Sequence, residues 1–203
     1  MPKLYDSKFS GNAWKVRILL SRLAIPYERI TLDLAKGEAK EPGFAAKSRF
    51  QRVPALELDD GRCIVESCAM MLYLAEGSDL LPADPVARAD VVSWLFFEQA
   101  DLTKPLAIPR FFHLRGIAGE MAARIAALQE QGYPALDKLE AWIAPREWLS
   151  EGRCTLADLG VYPYVALAHE GGYDMSRYPG IGAWLKRVEA EPGWAPLIEE
   201  GAR

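Results

Sequence analysis

The chain has 203 residues, half of them apolar and about a quarter charged, so it can bury a core and has the composition of a soluble globular protein. Its net charge of −4, without any dense block of lysine and arginine, argues against nucleic acid as the main partner. No apolar run approaches the roughly 20 residues of a membrane-spanning helix, and the N-terminus lacks the apolar stretch of a signal peptide, so we expect a cytoplasmic protein without a membrane partner.

The first 80 residues alternate between strand and helix patterns. The predicted elements are a strand at 3–5, a helix from Ser10 to Ala24, a strand at 27–32, a weak helix at 37–46, a hairpin of 55–58 and 63–65, and a helix from Glu66 or Ser67 to Ala75. This order, β-α-β-α-β-β-α, predicts one sheet that is first parallel and then closed by an antiparallel hairpin.

From Pro85 onward the strand patterns disappear. Helical periods predict helices at 86–114, 118–143, 155–169 and 181–190, and Pro105 and Pro109 are expected to bend or end the first of these. Residues 81–85 contain two prolines and read as a stiff linker. We therefore predict an α/β domain over residues 1–80 and an all-helical domain over residues 86–203.

One helix start in the second half has a clear signature. Thr155 would cap the first N–H groups of the helix, and Asp158 would reach back to the backbone N–H of Thr155. This pattern predicts a role in folding and not in chemistry.

Two short motifs in the first half suggest a binding pocket. Pro54 lies between Val53 and an apolar run, where a proline belongs at a turn or at the start of a strand. Glu66 and Ser67 open a helix, where a hydroxyl and N–H groups without intrahelical acceptors suit a carboxylate ligand. Together the motifs predict a pocket for a small peptide-like anion.

These motifs, in this order and spacing along nearly the whole chain, resemble the cytosolic glutathione S-transferases, and most closely a bacterial type with an active-site serine. The resemblance implies a thioredoxin-like first domain that binds glutathione, used as a co-substrate without any bound cofactor. It implies a helical domain lining a pocket for small apolar electrophiles. It also implies a homodimer, in which the hairpin and third helix of one subunit meet the helical domain of the other.

The resemblance assigns roles around the bound tripeptide. The bond before Pro54 would be cis, and the backbone of Val53 would pair with the cysteinyl part of glutathione as an added strand does. Glu66 would hold the ammonium group of the γ-glutamyl part, and Ser67 would hold its carboxylate.

Ser10 is the predicted catalytic residue, with Asn12 second. A thiol with a pKa of about 8.5 is mostly protonated at neutral pH, and lowering that pKa by two units requires roughly 2.7 kcal/mol of preferential thiolate stabilisation. A hydroxyl donor at a helix N-terminus supplies help of that order. The alternative is that Ser10 is only a helix cap, and the two roles can coincide.

Other hydroxyl groups near the first helix are weaker candidates. Tyr5 lies within the strand pattern, which favours core packing, and Ser7 is a reserve donor. No cysteine lies near residue 10, which disfavours the branches of the family that form a mixed disulfide with glutathione.

The loop before Val53 departs from the family pattern. Many members carry Asn-Pro-x-Gly there, whereas this chain reads Ser-Arg-Phe-Gln-Arg over residues 48–52. Gln51 and Arg52 could reach the glycyl carboxylate of glutathione, or Arg52 could be a solvated surface charge.

The sequence gives no sign of a metal site. Its three cysteines form no Cys-x-x-Cys motif, and its two histidines lie far apart.

The predicted function is conjugation of glutathione to small apolar electrophiles. Two alternatives remain: glutathione-dependent reduction of disulfides or peroxides at the same site, and a non-catalytic glutathione-binding protein.

Overall fold

The computed structural model describes residues 1–198 of the chain. The chain divides into two compact units, one formed by Met1–Glu76 together with residues 192–198, and the other by Gly77–Glu191. The sequence places one domain at 1–80 and the other at 86–203, so the two divisions differ in where residues 192–198 belong. Residues 192–198 belong to the first unit because they contact its N-terminal part, where Trp14 and Arg22 donate hydrogen bonds to them.

The first unit is built on a four-stranded mixed sheet. Its strands are β1 (Lys3–Asp6), β2 (Glu28–Thr31), β3 (Ala55–Glu57) and β4 (Cys63–Val65), and their order across the sheet is β2-β1-β3-β4. β1 pairs with β2 in parallel and with β3 antiparallel, and β3 pairs with β4 antiparallel. The prediction of a parallel start closed by a hairpin is confirmed.

Three helices accompany this sheet: α1 (Gly11–Arg22), α2 (Pro42–Ala45) and α3 (Ser67–Leu74). The weak helix predicted at 37–46 is two short pieces, a 3₁₀ turn at Glu38–Lys40 followed by α2. The break falls before Pro42 because proline lacks the N–H that a continuous helix would need there.

The core of the first unit lies between α1, α3 and the sheet. Leu4, Leu19, Leu56 and Met70 are fully buried, and each such side chain contributes about 1.5–3 kcal/mol on transfer from water. This packing fixes the ends of β1 and β4, from which α1 and α3 begin.

The second unit is helical and contains α4 (Pro85–Phe97), α5 (Thr103–Leu114), α6 (Ala122–Ile143), α7 (Leu156–Ala166) and α8 (Pro179–Ala190). The helix predicted at 86–114 is therefore divided, but not at Pro109, which lies inside α5. The division is a π-helical turn at Glu98–Leu102, just before Pro105. Its buried Glu98 carboxylate accepts hydrogen bonds from the Thr103 hydroxyl and the Gln99 amide.

The capping box predicted at the start of α7 is confirmed. Thr155 Oγ1 accepts the backbone N–H of Ala157 at 3.3 Å, and Asp158 Oδ2 accepts the backbone N–H of Thr155 at 2.9 Å. The Asp158 carboxylate also accepts the indole N–H of Trp184 at 2.9 Å and the backbone N–H of Leu149 at 3.1 Å. A single buried carboxylate thus joins three segments of the helical unit.

Over residues 1–198, none of the helices combines the length and the apolar character that crossing a membrane would require.

Candidate functional site

Ser10 is the N-cap of α1. Its backbone is extended, with φ −76° and ψ 112°, and its Oγ accepts the backbone N–H of Ala13 at 3.2 Å. In that bond the hydroxyl uses a lone pair and not its proton, so the half-buried O–H group can still donate to another acceptor. One serine side chain can therefore cap the helix and also donate a hydrogen bond to a thiolate.

Asn12 and Ser67 bring two helix starts together. The Ser67 hydroxyl donates to Asn12 Oδ1 at 3.2 Å, which joins the first turn of α1 to the first turn of α3. Ser67 is only 4% exposed, and Asn12 is half-buried. N–H groups at a helix start have no intrahelical acceptor and lie at the positive end of the helix dipole, so two converging starts favour an anion.

Glu66 precedes α3 in an unusual conformation. Its φ of +71° is in a region that side chains other than glycine rarely adopt, and its side chain is exposed. Such conformations cost about 1–3 kcal/mol and cluster at functional sites. The conformation places an exposed carboxylate directly beside the buried Ser67.

Val53 lies just outside the sheet. The bond between Val53 and Pro54 is cis, as the resemblance implies. β3 begins at Ala55 and is paired on both sides, by β1 and β4, whereas Val53 precedes the paired residues and is half-buried. Its backbone groups are thus placed where an extended ligand could meet them.

The loop before Val53 is closed by Ser48, whose role no sequence pattern indicated. Ser48 is fully buried; its hydroxyl donates to the Arg52 carbonyl at 3.0 Å and accepts the Arg52 N–H at 3.3 Å. The Gln51 N–H donates to the Ser48 carbonyl at 2.8 Å, and Gln51 has a φ of +52°. A serine–backbone turn therefore shapes a loop that lacks the family's proline and glycine, and the side chains of Gln51 and Arg52 are exposed.

Tyr5 is engaged elsewhere. Its hydroxyl donates to Glu57 Oε2 at 2.7 Å, and Lys47 Nζ lies 2.8 Å from Glu57 Oε1. Its ring packs on Phe44 in an apolar cluster. Burial, and then the hydrogen bond to Glu57, raise the pKa of Tyr5 above its usual value. These contacts favour the core-packing interpretation of Tyr5.

A buried ionic group lies at the end of β1, immediately before the Ser7–Ser10 loop. Asp6 Oδ2 is 3.1 Å from Arg17 Nε on α1 and 2.7 Å from Arg29 Nε on β2, and Asp6 Oδ1 accepts the Ser7 N–H at 2.5 Å. Burial raises the pKa of the Asp6 carboxyl, and the two guanidinium groups oppose that rise. Because the three residues are far apart in sequence, no local pattern revealed this group.

The aromatic residues of the helical unit divide between core and surface. Phe112 is buried, Phe96 and Phe111 are exposed, and Trp94 and Phe97 line an open cavity of about 290 Å³. The other residues that line this cavity are Ser93, Lys138 and Trp142. Part of this set therefore packs in the core, and part lines the cavity or lies at the surface.

Within residues 1–198, no group of three or more histidine, cysteine, aspartate and glutamate side chains is arranged to hold a metal ion.

Two family models match this chain. "Glutathione S-transferase, N-terminal domain" matches residues 2–76, and "Glutathione S-transferase, C-terminal domain" matches residues 100–192. The chain belongs to the glutathione S-transferase family. Glutathione is the co-substrate of this family, and the fold, a thioredoxin-like unit and a helical unit, is the one that the sequence predicted.

Individual relatives agree with this assignment. "Glutathione S-transferase 3" of Zea mays is 33% identical over 209 residues, which span 97% of this chain and 92% of the relative. A crystal structure of a glutathione S-transferase from Pseudomonas fluorescens superposes with a TM-score of 0.95 at 38% identity, covering 98% of this chain and 99% of the other. "Disulfide-bond oxidoreductase YfcG" of Escherichia coli is 26% identical over 188 residues, which span 89% of this chain and 87% of the relative.

Proposed function

We propose that this member of the family is a glutathione transferase that conjugates the thiol of glutathione to small apolar electrophiles. The observation that supports this most is the convergence of two helix starts, where the Ser67–Asn12 hydrogen bond joins α1 to α3 beside the Ser10 cap. In the proposed site, the starts of α1 and α3 would supply an anion site and a hydroxyl donor side by side.

Glutathione binds along the edge that these residues form. The γ-glutamyl carboxylate is held by Ser67 and the start of α3, and its ammonium group by the exposed Glu66 carboxylate. The cysteinyl part pairs with the backbone of Val53, which lies outside the sheet ladders. Gln51 and Arg52 are the candidates for the glycyl carboxylate, because both are exposed on the loop that leads to Val53.

Ser10 then activates the thiol. The thiol proton leaves to solvent, and the Ser10 hydroxyl donates a hydrogen bond to the thiolate while the start of α1 stabilises its charge. The thiolate attacks an electrophilic carbon of the second substrate, a carbon–sulfur bond forms, and the leaving group departs with its bonding electrons. Asn12, whose amide oxygen is engaged by Ser67, retains two amide N–H donors as a second source of stabilisation.

For the second substrate we infer only its chemical class, and for the assembly only the number of subunits. Exposed aromatic residues of the helical unit, such as Phe111, support a small apolar electrophile. The proposal includes a cytoplasmic homodimer, which the resemblance to the family supports.

The experiment that tests the proposal compares two substrates. We expect faster turnover of a chloronitroarene with glutathione than of a mixed glutathione disulfide. The reverse order would replace conjugation by reduction as the function. Ultraviolet titration of the bound thiol then separates an enzyme from a passive binding protein, since only thiol activation lowers the thiol pKa.

Reduction of disulfides at the same site is the second candidate. It is favoured by the similarity to the E. coli relative named a disulfide-bond oxidoreductase. The Ser10–Asn12 pair and the absence of a cysteine in α1 are compatible with it, since glutathione itself would supply both thiols.

A further inference from the structure

The C-terminal segment, residues 192–198, docks on α1 of the glutathione-binding unit. Its backbone carbonyls accept hydrogen bonds from side chains along the whole helix: Trp14 Nε1 donates to the Ala195 carbonyl at 2.7 Å, and Arg22 Nη1 donates to the Pro192 carbonyl at 2.9 Å. The segment therefore lies along α1 and is bonded to both its first and its last turn.

Arg17 is the centre of this docking. Its two terminal nitrogens donate to the Pro196 carbonyl at 3.2 Å and to the Leu197 carbonyl at 2.7 Å, and its Nε lies 3.1 Å from Asp6 Oδ2. Arg17 is only 1% exposed, so these contacts are desolvated and stronger than their surface equivalents. One guanidinium thus joins the C-terminal segment to the end of β1.

Two routes connect this docking to Ser10. From Asp6, the carboxylate accepts the Ser7 N–H at 2.5 Å, and the Ser7 carbonyl accepts the Ser10 N–H at 2.9 Å. From Trp14, the backbone N–H donates to the Ser10 carbonyl at 2.9 Å, while the indole of the same residue holds Ala195. The Ser10 carbonyl is therefore held by Trp14, a residue of the docking. The Ser10 N–H is held by Ser7, whose own N–H is held by Asp6, the carboxylate partner of Arg17.

We propose that the C-terminal segment positions the Ser10 hydroxyl toward the thiol of glutathione, with Arg17 and Trp14 as positioning residues. This rests on the proposed function, because it refines how Ser10 performs its role there. Segment 192–198 then determines the orientation of a residue more than 180 positions earlier in the chain. Displacing the segment should therefore raise the pKa of the bound thiol, in addition to any effect on the stability of the protein.

Gly193 offers a way to displace the segment without altering α1. A Cβ at Gly193 would lie 2.6 Å from Arg22 Cα and 2.9 Å from Arg22 N, both backbone atoms that cannot yield. Gly37 is the matched control: it has the same φ of +80°, yet a Cβ there meets nothing within 4 Å. Gly193→Ala and Gly37→Ala therefore share the backbone penalty and differ in the collision with α1.

The test measures the pKa of the bound glutathione thiol in the full-length wild type and both variants by ultraviolet titration, with hydrogen exchange of residues 7–14. We expect Gly193→Ala to raise the thiol pKa by about half a unit, as a weakened but not abolished hydrogen bond would, and to speed exchange. Gly37→Ala should match the wild type in both measurements. If Gly193→Ala exchanges faster without a change in thiol pKa, the segment has only a structural role and the proposal is wrong.

Trp14→Phe provides a second route, because it removes the indole donor to Ala195 and keeps an aromatic ring in the core. It should shift the thiol pKa in the same direction, and an unchanged pKa in Trp14→Phe would also overturn the proposal. A wild-type enzyme that does not lower the thiol pKa at all would instead overturn the proposed function.

Discussion

At the residue scale, the proposed function makes two demands on Ser10. As a helix cap, its hydroxyl must present a lone pair to the Ala13 N–H. As a hydrogen-bond donor to the thiolate, it must point its proton at the glutathione sulfur. A hydroxyl meets both at once, whereas a carboxylate at the same position would cap the helix and repel the thiolate. This explains why a serine suits the position better than aspartate, an equally good cap.

Substitution of Ser10 separates these demands. We expect Ser10→Ala to lose the lowered thiol pKa and about 1 kcal/mol of stability, and Ser10→Asp to keep the stability but not the thiol activation. Thermal unfolding and ultraviolet titration of bound glutathione measure the two effects. Full thiol activation in Ser10→Ala would assign the donor to another residue, with Asn12 the first to examine.

Glu66 provides a residue-scale test of ligand orientation. Because Gln keeps the shape but not the charge, Glu66→Gln should raise the KM for glutathione by about tenfold or more and leave kcat nearly unchanged. Steady-state kinetics with varied glutathione measure this. Glu130→Gln, an exposed substitution on α6, is the control, and equal KM values in both variants would contradict the role of Glu66.

At the element scale, the two best-defined helix caps differ in burial. Thr155 is fully buried at the start of α7, whereas Asp84 at the start of α4 is exposed and accepts the N–H groups of Val86 and Ala87 at 3.1 and 2.9 Å. We expect Thr155→Ala to cost about 2 kcal/mol and Asp84→Ala about 1 kcal/mol or less, since only the first leaves buried groups without acceptors. Urea unfolding midpoints compare the two, and equal losses would mean that burial does not matter at these caps.

The contacts of the Glu57 carboxylate with Lys47 and Tyr5 predict that the stability of the protein depends on pH. The hydrogen bond from Lys47, and then that from Tyr5, hold the pKa of Glu57 below its ordinary value of 4.5. The Glu57 carboxylate therefore binds a proton less readily in the folded state than in the unfolded chain. Its hydrogen bonds to Lys47 and Tyr5 stabilise the folded protein above about pH 4.5, and this stabilisation is lost as the pH falls through the lower pKa of the folded state. Glu57→Gln should therefore flatten the decline of the urea midpoint below about pH 4.5. A decline as steep as that of the wild type would show that the pair contributes nothing.

The elements also show how far the sequence predicts the structure. The helix α1, the hairpin of β3 and β4, and the Thr155–Asp158 box were predicted from local patterns, and all were found in the predicted places. The Asp6–Arg17–Arg29 group and the Ser48 turn were missed, because the first joins distant residues and the second uses a serine that resembles any loop serine. The candidate site was predicted from its motifs, but the Ser67–Asn12 contact between α1 and α3 required the structure.

At the scale of the whole molecule, the first unit is discontinuous in sequence. The chain leaves it at Glu76 and returns at Pro192, and the returning segment supplies backbone acceptors to Trp14, Arg17 and Arg22. A boundary drawn near residue 80 from composition alone could not anticipate this return, because nothing in residues 192–198 resembles a strand or helix of the first unit. The helical unit is thus an insertion between two parts of the other.

The most direct test of the central claim is a crystal structure of the protein with glutathione bound. We predict that the glutathione sulfur lies within hydrogen-bond distance of Ser10 Oγ, about 3.5 Å or less, with the γ-glutamyl group at Glu66 and Ser67 and the cysteinyl backbone paired with Val53. A sulfur more than about 4 Å from Ser10 Oγ, or a tripeptide bound away from the starts of α1 and α3, would contradict the assignment.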